Sequence, residues 1–453
     1  MTDAPSAPSL REALPVWTKI GLLSFGGPAG QIALMHAELV EKRRWIGERR
    51  FLHALGYCML LPGPEALQLA IYVGWLLNRT AGGIVAGALF VLPGAFVMLA
   101  LSALYATYRS VPLVEAAFFG IKAAVLALVV EALLRIGRRA LRGRAAVGLA
   151  VAAFLALFAF GLPYPAVVAA AALIGWLGDR AFPGAFAPAA AKDAGDDGDA
   201  VVDAMFARGE LDHAAPSGRR FVRAAAIWGA VWLAPPAAVA ALTGVDGVYS
   251  RIGAFFTLTS VVTFGGAYAA LSYVAQAAVG ALHWLTPSQM LDGLGLAETT
   301  PGPLILVLQF VGFFAAYGSS GSLPPLLAGV LGAALASWAT FVPCWLWIFA
   351  GGPYIESLRG NRALGAALAG ITAAVVGVVL DLSTWFSLHV LFRDLRPVHF
   401  AGLSFDAPAP TSFDARAALL AAAAMVATLR LRLGMGWTLA AAAAGGLALK
   451  LLA

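Results

Sequence analysis

Gly-Gly and Pro-Gly-Pro are poor choices for the middle of a membrane helix. This chain interrupts its apolar segments four times, in two copies of one pattern. "SFGGP" occupies Ser24–Pro28 and "LLPGPEAL" occupies Leu60–Leu67; "TFGGA" occupies Thr263–Ala267 and "TTPGPLIL" occupies Thr299–Leu306. Phe25-Gly26-Gly27 falls on Phe264-Gly265-Gly266 at an offset of 239 residues, and Pro62-Gly63-Pro64 falls on Pro301-Gly302-Pro303 at the same offset. Trp45 with Trp284, Leu52 with Leu291 and Leu55-Gly56 with Leu294-Gly295 match between them without a gap. Farther on, "GIKAAV" (Gly120–Val125) matches "GITAAV" (Gly370–Val375) at an offset of 250, which sets Glu131 on Asp381. The chain reads as two homologous halves, 10–180 and 250–453.

The segments so interrupted are membrane segments. The 453 residues are 61% hydrophobic and 12% charged, about half the charge of a soluble domain. Apolar runs long enough to cross a bilayer recur from end to end. The expected fold is an all-α polytopic membrane protein with about thirteen apolar segments: six per half and one extra connecting helix at 221–249. Between the halves, 181–220 holds "AKDAGDDGDA" and "HAAPSGRR" and reads as a flexible, solvated linker. The N-terminal "MTDAPSAPSLREALPVW" has no basic start followed by an apolar core, so no cleavable signal is expected.

Seven segments separate each element from its copy. Seven is odd, so the halves should have inverted topology, as secondary transporters often do. Charge supports inversion. The connector Glu38–Arg50 carries five Lys/Arg, and its copy Ala277–Gln289 carries none; the first is expected in the cytoplasm and the second outside. A single crossing by the first segment would put that basic connector on the wrong side of Arg135–Arg144. Treating the FGG and PGP segments as re-entrant hairpins brings the N-terminus, both basic connectors and the central linker to the cytoplasm, with the C-terminus outside. Long helices broken at the midplane are the alternative.

Broken backbone is tolerated in a membrane where it lines a cavity. Each break is followed by sequence on which a helix can restart, exposing unpaired N–H groups and a positive dipole end. Four such ends would make an anion site from Gly26, Gly27, Gly63, Gly265, Gly266 and Gly302 without a buried arginine. Ser24, Thr263, Thr299 and Thr300 add hydroxyl donors, Phe25 and Phe264 flank the glycines, and Gln31 puts an amide on an apolar face. A compact tetrahedral dianion suits this cage. The competing reading is that the glycines and prolines only let helices kink or pack closely.

Ionisable residues within apolar segments are the other candidates. Lys122 in "FFGIKAAVLALVVEAL" is either a counter-charge for the anion or a partner of Glu131 or Glu115. Glu65, Glu131, Glu298 and Asp381 are candidates for carrying coupling protons. The structural alternatives are a Glu131–Arg135 pair, a helix cap at Asp381 and a first-turn acid at Glu65. Trp45 and Trp284 suit an interfacial aromatic belt. No HExxH, GxSxG or nucleotide-binding loop is present, so neither an enzyme nor ATP-driven transport is expected, and no metal or cofactor. Cys58 and Cys344 stand alone as packing residues. The net charge of +6 comes from basic connectors rather than a nucleic-acid-binding face.

"SFGGPAGQIALMH", "LLPGPEALQLAIYVGW", "TFGGAYAAL" and "TTPGPLILVLQFVGF" together resemble the duplicated motifs of long-chain chromate ion transporters of the CHR superfamily. The resemblance covers both halves. It implies a protein of the bacterial inner membrane that exports chromate and so confers chromate resistance, with thirteen segments and antiparallel halves. Sulfate, alike in size, shape and charge, is the natural competitor or counter-substrate; a sulfate transporter or a passive anion channel are the alternatives. The expected partners are chromate or sulfate and the lipid bilayer, and a homodimer suits the architecture. The copies differ at Pro28 against Ala267 and Glu65 against Leu304, so the two sides of the site are not equivalent.

Overall fold

The structure is a computed structural model describing residues 6–182, 184, 186, 200–355, 361–400 and 402–451. The chain divides into two compact units. The first comprises 1–100, 189–267 and 300–361; the second comprises 101–188, 268–299 and 362–453. Neither unit is a sequence half, because each is assembled from both.

In the first unit, helix Leu10–Leu23 starts at a capping box in which Ser9 and Glu12 satisfy each other's backbone amides. It ends at Ser24. Gly26 (φ 88°) and Gly27 (φ 67°) turn the chain through left-handed backbone, which only glycine adopts readily. Helix Gly27–His36 follows and passes into a π-turn at Ala37–Lys42. Helix Glu48–Cys58 leads to the Pro-Gly-Pro break, where Gly63 has φ 106°. Glu65–Tyr108, of which the first unit holds residues up to 100, is then two helices, 65–77 and 80–108, because Asn78 and Arg79 leave helical backbone between them. The helices of 14 and 11 residues that enter the first two breaks are about 21 and 16 Å long. Neither crosses a core of about 30 Å alone.

The second copy repeats this path. Helix Val248–Val262 precedes Gly265 (φ 87°) and Gly266 (φ 91°), and helix Ala267–Ala275 follows. Helix Pro287–Glu298 precedes Gly302 (φ 89°), and a short turn at Leu304–Leu306 opens helix Val307–Tyr317. Correspondence extends to details with no sequence signature. A π-turn at Gln276–Ala281 matches the one at Ala37–Lys42. Arg44 and His283, again 239 apart, both have φ 51°. Trp45 N–H bonds Leu39 O at 2.8 Å, and Trp284 N–H bonds Ala278 O at 2.7 Å.

Among the described residues, the helices long and apolar enough to cross a membrane are Glu65–Tyr108, Pro112–Ala140, Gly218–Thr243, Pro325–Tyr354 and Arg362–Leu391. Shorter apolar helices include Arg144–Phe158 and Met435–Leu451. Helix Gly218–Thr243 is the extra connecting segment. It lies on Pro325–Gly351 through exchanged indole bonds: Trp232 to Ala339 O at 3.0 Å and Trp338 to Val231 O at 3.1 Å. Trp228 also packs inward, stacked on Trp345, while Val222, Ile227 and Leu233 are exposed, as a lipid-facing side requires.

Two expectations need correcting. The stretch 200–214 of the linker is docked. Helix Val201–Ala207 buries Val201, Val202 and Met205, and Val201 and Val202 donate to Arg44 and Trp45 carbonyls at 3.0 Å each. Asp203 binds Arg50 at 2.7 Å and the Gly47 amide at 3.0 Å. The apolar "AVVDAMF" supplies the adhesion; 187–199 lies outside the described residues. Trp45 is consequently buried beside this helix rather than displayed as an anchor.

The fold is also not wholly helical. In the second unit, Leu395–Phe400 and Leu403–Pro408 pair antiparallel, with Phe400 opposite Leu403. Gly402 (φ 84°) makes the turn, and the prolines in "RPVHF" and "DAPAP" disfavour helix.

The second unit is closed by crossings of small residues. A β-carbon on Gly120 would meet Ala442 O at 1.8 Å, and one on Gly446 would meet Ala116 O at 2.2 Å. Gly370 stands in the same relation to Ala171 O (2.4 Å), and Gly175 to Ala366 O (2.4 Å). Gly120 and Gly370 are the repeat-related pair of the GIKAAV and GITAAV motifs. Each packs on a terminal helix of the other half, so backbone meets backbone across the halves.

Candidate functional site

All four breaks belong to the first unit, and they associate in two pairs, each joining opposite halves. Gly63 N–H donates to Thr263 O at 3.1 Å, and Gly302 N–H donates to Ser24 O at 2.9 Å. The donors are 239 residues apart, and so are the acceptors. Each PGP glycine is thus bonded to the residue that opens the other copy's FGG break.

The two glycine types have different surroundings. The PGP loops are packed: a β-carbon on Gly63 would lie 3.2 Å from Gln68 Nε2 and 3.5 Å from Cys344 Sγ, and one on Gly302 would lie 3.3 Å from Phe90 O. Gly94 gives way to the second loop, since its β-carbon would strike Pro301 O at 2.0 Å. The FGG loops are open. Gly26 and Gly265 are exposed, a β-carbon on Gly27 would meet nothing within 4 Å, and one on Gly266 would approach only the Glu65 carboxylate, at 3.7 Å. Phe25 is 47% exposed beside them, and Phe264 is half-buried. Packing accounts for the PGP glycines and Gly94, but not for Gly27.

Side chains make the two pairs unequal. Gln31 Nε2 reaches Gly302 O at 2.5 Å and Ser24 O at 3.4 Å, sewing one pair together. Its counterpart in the second copy is Ala270. The other pair has Glu65, the only charged residue within 24–31, 60–68, 263–270 and 299–309, and Gln68, whose amide closes onto Pro62 O at 2.7 Å. The hydroxyls expected to face an anion are turned back onto the backbone. Ser24 donates to Ile20 O at 2.5 Å, Thr263 to Thr259 O at 2.6 Å and Thr299 to Leu296 O at 2.8 Å. Thr300 Oγ1 lies 3.8 Å from Met98 Sδ. Each acceptor is a helix carbonyl three or four residues back, and Thr259 O and Leu296 O also take the amides of Thr263 and Thr299, at 3.1 Å each.

The remaining candidates belong to the second unit. Glu131 pairs with Arg135 on helix Pro112–Ala140. Asp381 lies inside helix Arg362–Leu391, not at a cap, and lines a cavity of about 310 Å³ with Trp385, His389 and Asp406. Glu298 is buried and accepts from Tyr268 Oη at 2.9 Å. Lys122 pairs with neither Glu115 nor Glu131. It donates to Ser288 Oγ at 2.8 Å and stands 3.9 Å from Asp292 Oδ1. Asp292 and Tyr105, bonded at 2.7 Å, are not among the candidates that the sequence reading singles out. The signal is there: Asp292 is a lone acid in the apolar "MLDGLGL", and such residues are functional candidates by default. Among the described residues no His, Cys, Asp and Glu cluster could hold a metal.

A sequence model of the family described as chromate transporter matches residues 12–176 and 250–447. The chain is 34% identical to a chromate transport protein of Pseudomonas aeruginosa, over 80% of this chain and 77% of that one. It is 26% identical to a chromate transport protein of Cupriavidus metallidurans, over 82% and 81%. It is 23% identical to an uncharacterised transporter of Methanocaldococcus jannaschii, over 84% and 86%. No solved structure matches the chain.

Proposed function

The chain belongs to the chromate transporter family, a multi-pass membrane protein, and on that premise we propose that it exports the chromate dianion from the bacterial cytoplasm by alternating access between inverted halves, and so confers chromate resistance. The observation that carries this reading is the reciprocal bonding of Gly63 to Thr263 and Gly302 to Ser24. A backbone link made twice across the halves gives two repeat-related seams about which opposed repeats can rock.

The anion is held at the open FGG tips, where helices Gly27–His36 and Ala267–Ala275 begin. Backbone N–H groups and the positive helix ends bind it without a fixed cation. Gly27 and Gly266 keep the approach clear. Gln31 positions Ser24 and Gly302 and does not itself ligate. Glu65, over Gly266, repels a dianion while ionised, so its protonation favours occupancy and makes it a coupling candidate. The hydroxyls of Ser24, Thr263 and Thr299, already donating to carbonyls, offer only lone pairs and are not ligands. Without a nucleotide-binding motif, the energy comes from an ion gradient, the membrane potential or exchange. The basic connector Glu38–Arg50 marks the cytoplasmic side.

The test is flux in liposomes. Labelled chromate and sulfate are followed with wild type, Gly27→Leu and Gly266→Leu, each checked for folding by gel filtration. Loss of flux in both variants supports a path through both tips. Unchanged flux in folded variants rejects it. Flux of sulfate alone assigns the site to another oxyanion, and absence of trans-stimulation indicates a channel.

A further inference from the structure

We propose that Lys122 and Asp292 form a second anion station in the second unit, one that takes up a proton when the anion binds. The inference rests on the oxyanion reading above but uses none of the residues of the breaks. A cavity of about 430 Å³ is lined by Lys122, Thr286, Ser288, His389, Arg393 and Asp414, among others. Arg393 is held at its mouth by Asp414 at 2.9 Å. Lys122, its side chain 22% exposed, is the cation not engaged at hydrogen-bond distance by a carboxylate there.

Asp292 lies behind Lys122 and is 4% exposed. Its Oδ2 accepts from Tyr105 at 2.7 Å. Its Oδ1 is buried and has no hydrogen-bond partner, and Lys122 at 3.9 Å is beyond bonding range. Lys122 thus acts on this carboxylate through its charge alone, without a hydrogen bond. The other charged or titratable groups about it are Arg109, which also acts on Tyr105, and, on the cavity side, His389 from helix Arg362–Leu391. Helix Met435–Leu451 adds only Lys450, which turns to Glu115 at 3.7 Å.

A dianion entering the cavity competes for this ammonium. Lys122 has a flexible stem and spare donors, and a charged acceptor in the cavity is stronger than Ser288. Once Lys122 is drawn to the anion, Asp292 is a buried carboxylate with one neutral donor. Its uncharged form is then favoured, and it takes a proton from water. No other bond forms or breaks. Anion and proton thereby bind with positive linkage, and each raises the affinity for the other by the same factor.

Sulfate, which does not titrate near neutrality, is the first probe, and chromate above its own protonation is the second. Isothermal titration of the full-length protein in detergent, in buffers of different ionisation enthalpy, gives protons taken up per anion. Wild type should take up a proton on binding. Asp292→Asn, which keeps the shape and the Tyr105 bond, should bind with proton uptake reduced by up to one and with a flatter pH dependence. Lys122→Met/Asp292→Asn, which leaves no unpaired buried charge, should weaken the proton-linked binding component at least tenfold and leave the component at the breaks. Unchanged proton uptake in Asp292→Asn, or unchanged affinity of the proton-linked component in the double variant, overturns the inference while the oxyanion reading stands. Failure of wild type to bind either anion overturns both.

Discussion

The amide of Gly302 donates to the carbonyl of Ser24 at 2.9 Å, so a loop late in the chain is anchored on the first helix break. The bond needs Gly302 at φ 89°, where any other L-residue is strained. Gly302→Ala should cost about 1–2 kcal/mol from backbone strain, with more from the approach to Phe90 O. Gly63→Ala should behave alike, because Gly63 makes the equivalent bond at φ 106°. Thermal unfolding of the purified variants, with liposome flux alongside, measures both. Wild-type stability in either would mean that its loop does not depend on left-handed backbone.

Gln31 tests the inequality of the two pairs. Gln31→Leu leaves Gly302 O without its 2.5 Å donor in a buried setting, a cost of about 1–3 kcal/mol. Ala270, its counterpart, has no such bond to lose, so Ala270→Ser should leave stability and flux much closer to wild type. Equal effects at the two positions would show that Gln31 is not the stitch described.

Gly56 and Gly295 are the same motif residue in the two copies, yet their surroundings differ. A β-carbon on Gly56 would meet nothing within 4 Å, whereas one on Gly295 would come within 2.4 Å of Ile121 Cγ2. Gly56→Ala should stabilise its helix by about 0.5–1 kcal/mol, and Gly295→Ala should destabilise by about 1–3 kcal/mol through overpacking. The midpoints of thermal unfolding should move in opposite directions.

Glu38 gives the first unit an acid limit. Its side chain is 1% exposed and is gripped by Lys42 at 2.8 Å, Lys19 at 2.9 Å and Arg43. The hydrogen bonds from Lys42 and Lys19, with help from Arg43, hold its carboxyl down at about 2 against an ordinary 4.5. A depressed carboxyl contributes stability that is complete above the unfolded value and is lost as pH falls toward the folded one. Stability should therefore decline from about pH 4.5 to about pH 2. Glu38→Gln should be less stable at neutral pH and show a shallower acid limb. An acid limb identical to wild type would remove Glu38 from the explanation.

What the sequence determined is what local backbone chemistry can write. Pro-Gly-Pro and Phe-Gly-Gly disfavour continued helix by local backbone chemistry, so the four breaks and their correspondence by repeat are legible in the residues themselves. So is the membrane class, from the length of the apolar runs. The matching π-turns and the left-handed Arg44 and His283 are not legible there, since Ala37–Lys42 and Gln276–Ala281 share only Val40 with Val279. The tertiary structure alone decided which distant groups meet. Nothing in "SFGGP" says that Ser24 will serve Gly302 rather than Gly63. Nothing in the GIKAAV and GITAAV motifs says that Gly120 and Gly370 will each take a helix from the opposite half. Lys122 illustrates the limit: Glu115 and Glu131 share its helix, but Asp292, at the position occupied by His53 in the other copy, is its neighbour. Hydroxyls beside the breaks read as free donors in the sequence, yet helix ends compete for them at a range of three or four residues. Backbone conformation is set within a few residues, whereas partner choice is set by close packing of surfaces far apart in the chain, where one missing β-carbon decides which backbone can approach.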